Sequence, residues 1–268
     1  MNWALPLGQD EMMTFFALLT RLSVMLAVFP IFGHMVIPVP VKVLLGLSLS
    51  VMLFPVLVTS AVIVPAHAAV WADSVSGIAG VIAREVIFGL ALGFCVRLVM
   101  DAVQIGGDII SNFMGFSAAH TYDPQHETTT PVVAQVLNTL ALLLFLTMDG
   151  HLILIQAAAA SFKIVPIGEA AFHGAFANTL LDIASDTFKI GIQIGAPIAI
   201  SIFAVNIVYA ILSKAIPQLN VLVLSFAVSA GLGLFVLMVS MPETLGASRD
   251  VFDGLADRMG EVMQSLRR

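Results

Sequence analysis

The chain has 268 residues, of which 59% are apolar and only 10% charged, with a formal net charge of −6. Soluble domains carry about 25% charged residues, and here nine of the 28 charges lie after Pro242. The remainder cannot clothe a water-soluble surface, and 11 basic against 17 acidic residues offer no phosphate-neutralising patch. Composition therefore excludes a soluble globular enzyme, a disordered tail and a nucleic-acid binder. What remains is a polytopic membrane protein, or a subunit buried in a largely apolar assembly.

A helix that crosses a bilayer needs about 20 mainly apolar residues. In chain order the first such segment is 12–32, apolar except for Arg21 and closed by Pro30-Ile31-Phe32-Gly33. The second, 41–64, has Lys42 near its start and Pro55 inside it, where a lost backbone hydrogen bond predicts a kink. The third, 75–100, carries Arg84, Glu85 and Arg97. The fourth is 131–148, followed by a shorter run, 151–162, that reads as an extension or a re-entrant piece. A fifth, 190–212, contains Pro197, and the sixth is 216–241. Arg249, Arg258, Arg267 and Arg268 place the C-terminus on the cytoplasmic side. Six spans put the N-terminus there too, yet no Lys or Arg precedes Arg21. Either the count is odd or the bundle is not an ordinary one. The same lack of an N-terminal basic region argues against a secretory signal. Beyond Pro242, acidic residues and Arg258 alternate with Val251, Leu255, Met259 and Val262 at helical spacing. That pattern predicts an amphipathic helix facing solvent or an interface.

Enzyme signals fail. The six histidines include no HExxH and no i, i+4 pair. There is no GxxxxGK[ST] loop, and Gly115-Phe116-Ser117-Ala118-Ala119 lacks the closing glycine of a nucleophile elbow. Asp149-Gly150-His151 reads as a turn between helices, and Cys95 as a small buried apolar residue. No catalytic residue, cofactor or metal site is expected.

Packing signals are better. Gly89-x-x-x-Gly93, Gly191-x-x-x-Gly195 and Ser229-x-x-x-Gly233 set small residues on one face of three helices. Lipid supplies no hydrophobic drive between helices, so small residues that admit close approach mark contact faces. Asn178, Asp182, Asp186, Lys189 and Gln193 trace one polar stripe, either a wet path or subunit contact, or simply a helix end above the membrane. The stretch from Ile105-Gly106-Gly107 through Ile110 to Phe113-Met114-Gly115-Phe116 reads as too apolar for a solvent loop and too glycine-broken for a helix. Irregular backbone at such depth needs cover from protein or water. It is either a packed re-entrant loop or, with Phe113, Met114 and Phe116, an apolar seal in a channel.

In order along the chain stand Pro30-Ile31-Phe32-Gly33, Pro38, Lys42, Pro55, Glu85 with Gly89 and Gly93, and Gly107 to Met114-Gly115-Phe116. Asp123-Pro124, Asp149-Gly150-His151, Ser161-Phe162, Pro166-Ile167-Gly168 and Pro217-Gln218-Leu219-Asn220-Val221 follow. Over residues 12–240 this set resembles the FliR family of flagellar type III secretion export-gate subunits. Asp149 departs from it, since the family usually has Asn before Gly-His. The resemblance implies an all-α fold of long helices and hairpins that assembles into a helical, multi-subunit gate lifted largely out of the bilayer. It implies a P-like part at 1–180 and a Q-like hairpin at 181–241 turning at Pro217, Gln218 and Asn220, followed by the amphipathic tail read above, 242–268. It places a plug at about 105–120, which includes Gly106, Gly107, Ile110, Phe113, Met114, Gly115 and Phe116. Implied partners are the P-type and Q-type subunits (FliP, FliQ), the FlhB-type switch subunit, the FlhA-type subunit and exported flagellar polypeptides. The implied location is the basal body in the bacterial inner membrane. The equivalent virulence-injectisome subunit is the alternative within this reading. From other classes, a small-solute transporter would need matching broken helices in two halves, where only Pro55 and Pro197 loosely correspond. A membrane-embedded hydrolase lacks its ligand sets.

Overall fold

The computed structural model describes residues 8–29, 37–116, 131–216 and 221–267. Among these the fold is all-α. Helix α1 is Gln9–Val28. Its first turn carries Asp10 and Glu11, favourable at the positive end of the helix dipole, and Glu11 Oε2 accepts from Gly8 N at 3.1 Å. Helix α2, Val39–Thr59, starts behind Pro38 and continues through Pro55. A 3-10 turn at Pro65–Ala68 and the one-turn helix α3, Ala69–Ala72, lead to α4, Val75–Phe113. Ser74 Oγ receives Gly77 N at 3.1 Å, the bond of an N-capping serine. Then come α5, Val132–Thr147; α6, Gly150–Ile164; α7, Gly174–Ala215; α8, Val221–Asp253; and α9, Leu255–Ser265.

Five of these helices are long and apolar enough to cross a membrane, or six if the pair α5 and α6, broken at Met148-Asp149, counts as one span. This is the architecture of a polytopic membrane protein. The elements exceed the expected segments in three places. Helix α4 continues 13 residues past Met100, α7 begins at Gly174, and α8 runs through Pro242 to Asp253. Isolated polar or glycine residues near the ends of those apolar segments do not stop a helix whose other positions pack.

The chain folds as two compact units: Met1–Arg97 with Gly150–Ile183 and Gly254–Arg268, and Leu98–Asp149 with Ala184–Asp253. In the first, α1 packs on α2 and on the turn at 65–68, while α9 packs on α6. Leu255, Met259, Val262, Met263 and Leu266 are all buried, and Ala171 N donates to Leu266 O at 2.9 Å. The amphipathic helix expected near the C-terminus exists, but its apolar face is spent inside this unit, while Asp257 and Glu261 are exposed and Arg258 is half-buried. In the second unit α5 packs on α8, and Phe145 meets Phe252 edge-on at 5.3 Å.

At the centre of the first unit lies a charge pair with no exposed side-chain surface. Arg21 Nε donates to Glu85 Oε2 at 2.5 Å and Nη2 to Oε1 at 3.1 Å, a two-pronged carboxylate contact. Arg21 Nη1 also reaches Ser161 Oγ (3.3 Å) and Val165 O (2.9 Å), and Glu85 Oε1 accepts Gly168 N at 2.8 Å. The guanidinium lies 4.2 Å from the Phe88 ring centre and 4.3 Å from that of Phe162, so both faces are covered by rings.

Between α5 and α6, Asp149 has φ 56°, the left-handed region. Among side-chain-bearing residues Asn and Asp enter that region most readily, so a carboxylate serves the turn as an amide does. Asp149→Asn is expected to leave stability unchanged, and Asp149→Val to lower it by about 1–2 kcal/mol, read from thermal unfolding in detergent. Glu85→Gln, which strands a buried guanidinium, should cost about 3–5 kcal/mol. The double change Arg21→Met with Glu85→Leu should recover most of that loss in the same measurement.

Candidate functional site

The stretch expected to be irregular is helical: residues 105–113 form the last turns of α4. The correction has a packing cause. Without a side chain at Gly106, Ile194 of α7 comes so near that an added Cβ would sit 2.6 Å from its Cγ2. At Gly191 a Cβ would meet Ile105 Cγ2 at 2.6 Å and Ala102 O at 3.0 Å, and at Gly195 it would meet Ile109 Cγ2 at 2.8 Å. Three isoleucines thus stand in three glycine notches, two from α4 into α7 and one in return. On the other side of α4, Gly107 lies against Ala134 of α5, with 2.7 Å from a notional Cβ to its Cα. These glycines give up helix propensity, about 1 kcal/mol each, and admit neighbouring helices instead.

The helix ends where α8 approaches. Met114 N closes the last turn on Ile110 O at 2.9 Å, and Gly115 follows with φ 84°. Ile110 and Met114 are fully buried. Met114 lies on Gly233, where a Cβ would come within 2.5 Å of its Cγ. The Phe116 ring meets Phe226 of α8 edge-on, with centres 6.1 Å apart and an interplanar angle of 83°. Phe113 alone of the three candidate sealing side chains is exposed, at 39%. The structure therefore splits the candidate set: Ile110, Met114 and Phe116 are held by the second unit, and Phe113 projects outward.

The other glycine pair lies in the first unit. A Cβ at Gly89 would sit 2.8 Å from Arg21 O, and one at Gly93 would sit 2.7 Å from Val28 Cβ, so α1 crosses α4 there. Residues 117–120 of the candidate plug, Pro30-Ile31-Phe32-Gly33, Asp123-Pro124 and the turn residues Pro217, Gln218 and Asn220 lie outside the described residues. The polar stripe occupies one helix, α7. Asp182, Lys189 and Gln193 are exposed, and Lys189 Nζ pairs with Asp186 Oδ1 at 2.9 Å. Among the described residues no three His, Cys, Asp or Glu side chains are grouped to hold a metal.

Residues 12–255 match the family described as Bacterial export proteins, family 1. The chain belongs to that family. Its relatives include the flagellar biosynthetic protein FliR of Escherichia coli strain K12, 27% identical over 248 residues, 92% of each chain. The protein of the same name from Bacillus subtilis strain 168 is 27% identical over 258 residues, 95% of this chain and 96% of that one. That of Aquifex aeolicus is 25% identical over 228 residues, 83% of each.

Sequence reasoning singled out the glycines but not what fills their notches. The available signal is that Ile105 directly precedes Gly106 and Ile194 directly precedes Gly195, while Ile109 adjoins no glycine. Phe226 carried no signal. Gly191→Val should force Ile105 and the Ala102 carbonyl aside and lower stability by about 1–3 kcal/mol. Gly231→Ala, at a position with nothing within 4 Å of a Cβ, should be neutral or raise it by up to about 1 kcal/mol. Thermal unfolding of the two variants side by side checks the contrast.

Proposed function

We propose that this chain is the R-type subunit of the flagellar type III export gate, a non-catalytic protein of the inner membrane at the flagellar basal body. The observation that carries the reading is the family match across 12–255, joined to relatives of nearly equal length that bear a flagellar biosynthesis name. In this reading residues 1–180 form the P-like part and 181–241 the Q-like hairpin. Its partners are the P-type and Q-type subunits, the FlhB-type switch subunit and the FlhA-type subunit, and its cargo is unfolded flagellar polypeptides.

Physical features support assembly with sister subunits. At 1.5 Å per residue the 39 residues of α4 and 42 of α7 extend roughly 60 Å, twice the ~30 Å hydrocarbon core of a bilayer. Helix α7 exposes Leu181, Phe188, Ile192, Ile200, Phe203 and Ile211, a run of roughly 45 Å along the helix. An apolar face longer than the bilayer is thick requires protein cover for part of its extent.

The segment 105–120 acts as the plug. Ile110 and Met114 anchor it, and Phe113 is the exposed ring available to close an apolar constriction, which excludes water and ions by dewetting. Gly115, already at positive φ, gives the chain beyond α4 freedom to swing aside. Transport energy comes from elsewhere in the machine. Deletion of Ser111–Ser117 should raise small-ion leak through the assembled complex severalfold in planar-bilayer recordings. Unchanged conductance would refute the plug assignment, while failure to co-purify with two other small, very apolar proteins would refute gate membership.

A further inference from the structure

Between Leu98 and Phe113, within the second unit, the last turns of α4 are packed on two sides and polar on the third. Ala102, Ile105, Gly106 and Ile109 stand against α7, and Gly107 stands against α5. Val103, Ile110 and Met114 are buried. Asp101, Gln104, Asp108 and Asn112 step by three or four residues and so share the remaining face. Asn112 is exposed and the other three are half-buried, with Gln104 Nε2 donating to Asp108 Oδ1 at 3.1 Å.

This face is the reverse of its surroundings. In the same unit α8 turns Leu224, Phe226, Leu234, Phe235, Met238 and Val239 outward, as suits a helix covered by lipid or by apolar protein. Carboxylates and amides on successive turns cannot be covered in that way without losing the water that solvates them, and acidic side chains in helices of this kind face either protein or a wet cavity. The face is acidic without local compensation, because no Lys or Arg occurs from residue 98 to residue 162. It also ends at Asn112, beside Phe113, and these two are the exposed side chains of the last turn. The polar track therefore runs up to the ring assigned to the seal.

We infer that this face lines a water-filled passage and is the surface along which an extended polypeptide reaches the plug. An extended chain offers an N–H and a C=O at nearly every residue. Carboxylates accept from the former, and amide side chains both donate and accept, so the track serves cargo of any sequence. Asp101 and Asp108 make the passage negative and favour cationic over anionic solutes within it. The assignment rests on the export-gate reading and adds to it the wall on which cargo runs.

The test uses single-cysteine chains, Asn112→Cys or Met238→Cys in a Cys95→Ala background, assembled with their sister subunits and checked by co-purification. Spheroplasts and inverted vesicles are treated with methanethiosulfonates, which modify thiols that water reaches, and the mass of this chain reads the extent. Asn112→Cys should react, and Met238→Cys should react several times more slowly although Met238 is 75% exposed in the chain by itself. After division by the rates with a small free thiol, the trimethylammonium reagent should outpace the sulfonate at Asn112→Cys about tenfold. One carboxylate about 6 Å away in water has that effect, by attracting the first and repelling the second. Asp108→Asn should remove most of the preference. Cargo fused to a domain that cannot unfold, lodged in the gate, should slow labelling of Asn112→Cys severalfold. An Asn112→Cys that is inert, or no faster than Met238→Cys, overturns the wet face and leaves gate membership, read from co-purification, intact. A preference that survives Asp108→Asn overturns the charge assignment, and labelling indifferent to lodged cargo overturns the polypeptide route.

Discussion

The first unit is organised by the need to bury one guanidinium. A charge at the centre of an apolar span costs about 2.5–3.5 kcal/mol on insertion scales, and Arg21 sits well inside a helix that is otherwise nearly free of charge beyond its first turn. The requirement propagates outward. Glu85, Gly89 and Gly93 are spaced four apart, so the residue that neutralises Arg21 and the two that let α1 approach share one face of α4. Phe88 and Phe162 then close over the guanidinium, and the Val165–Gly168 backbone satisfies what the carboxylate leaves open. Remove the pair, and helix spacing, ring placement and loop shape lose their common reference.

The second unit reaches close packing by other means. There isoleucine side chains fill the volumes that glycines leave vacant on the facing helix. Contacts of this kind depend on shape alone and hold only at one axial offset, because a shift by one residue sets Cβ against Cβ. The end of α4 is thereby delivered to a defined height beside α8, where Met114 and Phe116 dock and Phe113 does not.

Much of this was legible beforehand. Apolar runs of adequate length marked the helices, because burial or lipid contact demands such runs whatever the fold. Asp149-Gly150-His151 was recognisable as a turn because few residue types tolerate its backbone. The small-residue motifs pointed to close helix contact without naming the partner face. Two things were not legible. Glycines at 106 and 107 read as helix breakers because their local propensity is poor, and only knowledge of Ile194 and Ala134 shows why the helix persists. Equally, Arg21 and Glu85 read as two separate anomalies 64 positions apart, since nothing local declares that they meet.

The order in which the chain is made has a consequence for the first unit, which draws on residues near both ends of the sequence. Translation at about 5–20 residues per second brings out Arg21 tens of seconds before Leu266, whose carbonyl ties down Ala171. Until then the α6 surface that α9 covers has no mate, and the nascent polypeptide must be shielded by an insertase, a chaperone or lipid. Completion of that core therefore waits until Leu266 has been made, and a ribosome that stalls inside α8 leaves a first unit whose α6 lacks the cover of α9.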